Sequence, residues 1–224
     1  MCGRYAFYLP HEAMVRLFDL ADDAPEVAPR YNIAPSNFVP VIRHDKQAER
    51  KLGMLHWGLV PHWAKDKKIG YRMINARSET VREKPSFRNA FRRRRCLVPV
   101  SGFYEWKKTG ESKTPYFISM SDAEGFAFAG LWERWHENDD ADPLDSVTIC
   151  TTEANVHIAE IHQRMPVILK PGDYDAWLSR ENSGDDVTYA LLKPWPRDNL
   201  QAWPVSTAVN RPQNDRPDLI KADG

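Results

Sequence analysis

Between Phe38 and Trp132 the chain is a succession of short runs of β-branched and aromatic residues, each closed by Gly, Pro or charged turn residues. Phe38–Arg43, Lys51–Leu59, Cys96–Val100, Phe103–Lys107, Tyr116–Met120 and Phe126–Leu131 read as strands, and Ser146–Thr151 continues the series. Lys107-Lys108-Thr109-Gly110 has the composition of a hairpin connection. Helical spacing is confined to the flanks: Pro10–Leu20, with Met14, Leu17 and Phe18 on one face, then Glu153–Ile161, Asp173–Ser179 and Val187–Leu192. Two further strands are expected at Val167–Leu169 and Gln201–Val205, and His136–Asp145 reads as an acidic surface loop. The expectation is an α+β fold, a mainly antiparallel and barrel-like β core with peripheral helices. No repeat and no linker divides the chain, so residues 1–224 are read as a single domain.

A chain of 224 residues is long enough to bury a substantial core. Its longest apolar runs, such as Phe126 to Leu131, fall far short of a membrane span. The N-terminus lacks the basic-then-apolar pattern of a secretory signal, Arg4 being followed by a mixed, helix-like segment. Cys2, Cys96 and Cys150 are odd in number and widely spaced, which argues against a disulfide framework or a structural zinc site and fits a reducing cytoplasm. No P-loop, G-x-G-x-x-G, G-x-S-x-G or H-E-x-x-H pattern occurs, and the seven histidines have no metal-like spacing. No metal and no cofactor is therefore expected.

Net charge is zero, but its distribution is uneven. Lys67 to Lys113 holds 14 Lys and Arg against 4 Glu, including Arg92-Arg93-Arg94-Arg95, while Glu133 to Glu160 holds 8 acidic residues against Arg134 alone. A neutral chain can thus still present a positive face to an anionic polymer. Trp57, Trp63, Tyr71, Phe87, Phe91, Tyr104 and Trp106 are interleaved with the basic segment, the combination that binds single-stranded nucleic acid. Core packing accounts for most of these rings, and Trp63 is the one expected to be exposed.

The chain begins Met1-Cys2-Gly3-Arg4. Removal of Met1 would put an α-amine and a thiol on one Cα, with ordinary pKa values near ~8 and ~8.5. Such an aminothiol condenses with an aldehyde to an imine and closes through sulfur into a thiazolidine. Three further clusters place polar groups among apolar or glycine neighbours: Asn75 in Ile74–Thr80, Glu105 between Tyr104 and Trp106, and His162 ahead of Pro166. A carboxyl between aromatic rings tends to have a raised pKa and to carry protons well. Read singly, Asn75 is a turn former, Glu105 a half-exposed strand residue and His162 a histidine at a helix end.

Taken in order, these segments resemble the SRAP (SOS response-associated peptidase) family of abasic-site processing proteins. The resemblance runs through Met1–Arg4, Arg30–Pro35, Trp57–Trp63, Asn75–Thr80, Arg95–Pro99, Gly102–Trp106, Ala129–Glu133 and His162–Pro166, with a weaker match at Trp203–Ser206. It implies that Cys2, freed by loss of Met1, crosslinks to the aldehyde of an abasic site in single-stranded DNA. It further implies that Asn75 orients the amine or the sugar oxygen, that Glu105 shuttles protons, and that His162 is a general acid/base. Arg4 and Arg77 would hold flanking phosphates, and Trp63 and Trp106 would wedge or stack beside the extruded sugar. A monomer acting in the DNA damage response is expected. Three rival readings stay open on the residues alone: a cysteine peptidase with an N-terminal nucleophile, a non-catalytic single-strand binding module, and a plain β scaffold with a protein partner.

Overall fold

The computed structural model describes residues 2–138, 140–181 and 186–223. In chain order these form β1 (Tyr5–Phe7), α1 (His11–Phe18), β2 (Arg30–Ile33), β3 (Phe38–His44), β4 (Arg50–Trp57), β5 (Asn75–Arg77), α2 (Arg88–Arg93), β6 (Arg95–Val100) and β7 (Gly102–Thr109). There follow β8 (Ser112–Met120), β9 (Phe126–Trp135), β10 (Leu144–Glu153), α3 (Val156–Ala159), β11 (Arg164–Pro166), β12 (Ile168–Leu169), α4 (Tyr174–Leu178), α5 (Asp186–Ala190) and β13 (Leu200–Pro204).

Five strands close on themselves. β10 pairs antiparallel with β9, β9 with β6, β6 with β3 and β3 with β4, and β4 returns to β10 in parallel at Ser146–Val147. Closure removes the exposed edges that an open sheet would leave. A second, antiparallel sheet has the order β13-β8-β7-β1-β2. The barrel-like α+β reading therefore holds. Val41, Leu55, Leu97, Val98, Ala129, Leu131, Val147 and Ile149 belong to the buried core, and each large side chain there contributes roughly 2 kcal/mol by leaving water. Trp57 and Trp177 are buried with their indole N–H groups satisfied, donating to the carbonyls of Ile74 and Cys96.

The expected strands are present, and several run longer than read. The extensions Lys108–Thr109 and Ser112–Thr114 are polar and mostly exposed, where solvent asks for nothing β-specific, whereas Trp132–Trp135 buries Glu133 and Trp135. The expected hairpin lies between β7 and β8, with Gly110 at a φ of 61°. One helix is much shorter than expected. β10 continues to Glu153, so only Val156–Ala159 is helical, started by Asn155 accepting from the Ile158 N–H. The segment after Arg4 begins with β1 rather than a helix. The short strands β1, β2 and β5 and the arginine-rich α2 are additions that periodicity did not mark, being too brief or too polar to show a period.

Candidate functional site

The pairing of β1 with β7 is what brings residues 2 and 105 together. Tyr5 lies opposite Phe103, and the Tyr104 N–H donates to the Arg4 carbonyl, so the antiparallel register carries the chain start alongside Glu105. Cys2 is fully buried and its sulfur accepts from the Arg4 backbone N–H. Burial pushes the thiol well above its ordinary pKa, and the Glu105 charge pushes the same way. Ordinary thiol reactivity, expected from sequence, is thus not what the folded chain offers: this sulfur is held protonated.

Glu105 is 2% exposed, not half-exposed. Burial raises its carboxyl to about 7, with the positive charge of the amino terminus pulling in the opposite direction. At neutral pH it is therefore divided between acid and base.

His162 stands just past α3, where its N–H donates to the Ile158 carbonyl. Its imidazole is pushed down by burial and, next, by the positive charge of the amino terminus. Nδ1 lies 3.0 Å from the Arg164 backbone nitrogen and 3.1 Å from its carbonyl oxygen, so the backbone of Arg164 fixes the ring. The charge at the amino terminus is thus felt by Cys2, Glu105 and His162 alike, although 160 residues separate the first from the last.

Asn75 opens β5, which lies parallel to β10 with Asn75 opposite Ile149 and Arg77 opposite Thr151. On the other side of β10, Thr151 faces Pro166 of β11. Both amide atoms of Asn75, Oδ1 and Nδ2, are buried and meet no hydrogen-bond partner among the described residues. A buried orphan amide costs about 1–3 kcal/mol, which a fold tolerates where a ligand completes the bonds. Asn75 is therefore a strand residue, not a turn former.

Arg164 ties this region together and was not singled out from sequence. It forms a bidentate pair with Glu79 at 2.8 and 3.1 Å and donates to the Thr151 carbonyl at 2.8 Å. The pair pulls Glu79 below its ordinary pKa. Arg77 beside it is exposed. Its place two residues after Asn75 and directly before a tight turn was the available signal.

The other two sequence-predicted contacts lie elsewhere. Alternation along β7 places Tyr104 and Trp106 on the face opposite Phe103 and Glu105, in a separate small cluster with Val205, Val209 and Leu219. The Trp106 indole donates to Asn210 Oδ1 at 2.8 Å. On the same face, Arg4 Nη1 donates to Asn32 Oδ1 and to the Val209 carbonyl, both at 2.7 Å. Buried Asn32 in turn donates to the carbonyls of Val209, Arg211 and Asn214. Arg4 and Trp106 thus bind the C-terminal segment to the sheet.

Trp63 is half exposed, as expected. Its loop is held by a mutual approach of two glycines. Gly58 has a φ of 135°, and a Cβ on either Gly58 or Gly70 would sit within 2.7 Å of the other's carbonyl oxygen.

The arginine run divides. Arg95 is buried, its guanidinium donating to the carbonyls of Phe91, Arg92, Trp177 and Ser179. Arg94 pairs with buried Glu133 at 3.0 Å. Arg92 and Arg93 are exposed. All three cysteines are free and buried. Among the described residues no three His, Cys, Asp or Glu side chains gather as a metal would need, and no helix is long and apolar enough to cross a membrane.

The family model for SOS response associated peptidase (SRAP) matches residues 1–212. The chain is 43% identical over 225 residues to the abasic site processing protein YoqW of Bacillus subtilis, covering 99% of this chain and all of that one. It is 32% identical to the abasic site processing protein HMCES of Gallus gallus, covering 98% of this chain and 77% of that protein. A crystal structure of a protein from Bacteroides thetaiotaomicron superposes with a TM-score of 0.87 at 26% identity, over 99% of this chain and the whole of the other. With Cys2, Asn75, Glu105 and His162 standing in the matched span, this chain belongs to the SRAP family.

Proposed function

We propose that the protein processes abasic sites by covalent capture, acting as a monomer on single-stranded DNA once Met1 has been removed. Met1 lies outside the described residues, so the reading rests on the groups that surround Cys2. The observation that carries it is Glu105, a carboxyl 2% exposed and raised to about 7, whose charge acts on the buried sulfur of Cys2.

The chemistry follows from these states. The free amine of Cys2 attacks C1′ of the ring-opened deoxyribose, forming a C–N bond. The resulting carbinolamine loses water, with protonated Glu105 giving the proton that the leaving hydroxyl needs. The sulfur then adds to the imine carbon. Its S–H proton passes to the Glu105 carboxylate and restores the acid, while the nitrogen keeps the N–H it carried as the iminium, so one aldehyde and one aminothiol become a thiazolidine and a water. A thiol held protonated cannot compete with the amine for the first attack, which sets the order of bond formation. His162, its imidazole pushed toward the neutral form by burial, assists opening of the sugar ring as a general acid/base. Asn75 supplies the two hydrogen-bonding atoms that hold the sugar oxygen or the amine. Arg77 contacts a flanking phosphate and Trp63 stacks beside the opened sugar, whereas Arg4 and Trp106, on the opposite face of β7, hold the C-terminal segment. A hydrolase using the Cys2 sulfur as its primary nucleophile would need a thiolate, which burial opposes.

The test is a denaturing gel after mixing the protein with an oligonucleotide carrying one abasic site, alongside intact mass measurement. A heat-stable adduct is expected, at the summed mass less one water, on protein that has lost Met1. Cys2→Ser should give a labile adduct, and Cys2→Ala or one residue added ahead of Cys2 should largely lose it. An undiminished adduct with Cys2→Ala would overturn the thiazolidine.

A further inference from the structure

Tyr5 is fully buried, and its hydroxyl meets no hydrogen-bond partner among the described residues. We propose that this hydroxyl is a further catalytic group, donating to the Cys2 sulfur while that sulfur closes on, or leaves, the captured carbon. The proposal rests on the reading above and adds a group to its second step, ring closure, where Glu105 otherwise acts alone.

Three observations support it. Register puts the ring on the side of the sheet that carries Glu105. Tyr5 lies opposite Phe103, and alternation along β7 gives Phe103 and Glu105 one face, so Glu105 is the diagonal neighbour of Tyr5. Diagonal pairs across an antiparallel ladder stand about 7–8 Å apart, within reach of long side chains. The ring is also fixed in place. It packs against Trp57 with 5.3 Å between centroids and meets Phe128 edge on at 6.2 Å. Trp57 is itself held by its indole N–H, which donates to the carbonyl of Ile74, the neighbour of Asn75. Finally, the hydroxyl lies within electrostatic reach of Cys2, three residues away in sequence and equally buried. Burial holds the phenol neutral, a charge on the Cys2 sulfur acts in the same direction, and Arg30 opposes both more weakly. A phenylalanine would fill the same space between Trp57 and Phe128. The hydroxyl is the part that packing does not account for, since a buried tyrosine O–H ordinarily finds a partner.

A neutral phenol beside the sulfur suits one step in particular. In closure the sulfur bonds to the imine carbon, the S–H proton goes to the Glu105 carboxylate, and the C=N electron pair settles on nitrogen. Negative charge passes through the sulfur as its proton leaves, and an O–H directed at it stabilises that charge. Tyr5 keeps its own proton throughout. Ring opening is the same step reversed, so a donor that acts on the passing charge speeds release as much as capture. The earlier attack by the amine puts no charge on sulfur and gains nothing from the hydroxyl.

The experiment uses the full chain, with Met1 removed, and a single-stranded oligonucleotide carrying one abasic site. Borohydride added at intervals traps the imine as a reduced adduct, and the heat-stable adduct formed without borohydride reports closure. Release is followed as the decay of purified adduct while methoxyamine blocks the freed aldehyde. Tyr5→Phe should leave imine formation within about twofold of wild type and slow closure and release alike, each about tenfold. Its melting temperature should be no lower than that of wild type, since the ring and its packing are kept and only an unpartnered hydroxyl is lost. Closure at the wild-type rate in Tyr5→Phe would overturn the proposal. Equal slowing of imine formation and closure would overturn it as well, because the sulfur takes no part in the first. Absence of any adduct with the wild-type protein would instead overturn the Cys2 reading, so the two failures are distinguishable.

Discussion

Cys2 and the Cys96–Cys150 pair are buried to the same degree and have opposite surroundings. In all three the thiol is pushed up by loss of water. Cys96 and Cys150 lie in the barrel wall, Cys96 beside Gly130 and Val98 and opposite Gly130 on β9, and Cys150 opposite Ala76 on β5. Cys2 lies beside a raised carboxyl, and the charge of the amino terminus acts on its thiol, on that carboxyl and on the His162 imidazole. Burial alone makes an inert small hydrophobe of a cysteine. What distinguishes Cys2 is the set of proton carriers buried with it.

The comparison breaks most directly if the wrong thiol matters. Cys150→Ala should leave adduct formation within about twofold of wild type while Cys2→Ala largely abolishes it; a loss in both would reduce the Cys2 effect to a folding defect. Glu105→Gln comes next, with an expected fall of about 100-fold in the rate of adduct formation and loss of the rate's dependence on pH near 7. The same substitution has a stability signature. Glu105 in the folded chain titrates above its ordinary value of 4.5, so the fold favours the neutral acid. Its contribution is complete below pH 4.5 and is lost as pH rises through about 7, by about 3 kcal/mol at most. Melting temperature measured at pH 5 and pH 8 should therefore fall in the wild type and fall less in Glu105→Gln; equal falls would place the titration elsewhere.

Asn75→Ala separates the two regions by sign. Replacing a partnered buried amide destabilises, but Oδ1 and Nδ2 of Asn75 meet no partner among the described residues, so this variant should melt no lower than wild type while its adduct forms about tenfold more slowly. A lower melting temperature with an unaltered rate would make Asn75 structural. The smallest effect belongs to Arg77→Ala, which should reduce the salt slope of single-strand binding by about 0.7 and leave adduct chemistry at saturation unchanged. An unaltered slope would remove its phosphate contact.

Much of the scaffold was legible because its longer strands are runs of strand-forming residues closed by turn residues. β3, β4, β6, β8, β9 and β10 declare themselves through Val, Ile, Phe and Leu bounded by Gly, Pro or charged positions. β5 did not, since three residues beginning with Asn cannot show an alternation, and its strand character comes from the parallel ladder that β10 provides. The arginine run shows the same limit. Its sequence is uniform, yet Arg95 holds four carbonyls in the core, Arg94 pairs with Glu133, and Arg92 is exposed. Four identical residues acquire different roles because α2 ends at Arg93 and β6 begins at Arg95.

Residue identity and order determined the strand-rich architecture, the charge segregation and the membership of the candidate site, because hydrophobic period and reactive residue types are local properties. Tertiary structure decided the rest. Register between β1 and β7 set Cys2 against Glu105, and β10 placed Asn75 and Arg77 on one flank and the His162 segment on the other. The C-terminal segment covered Arg4 and Trp106. The protonation states followed from that burial, since the energy of a charge depends on how much water and which charges surround it, and no stretch of sequence carries that information.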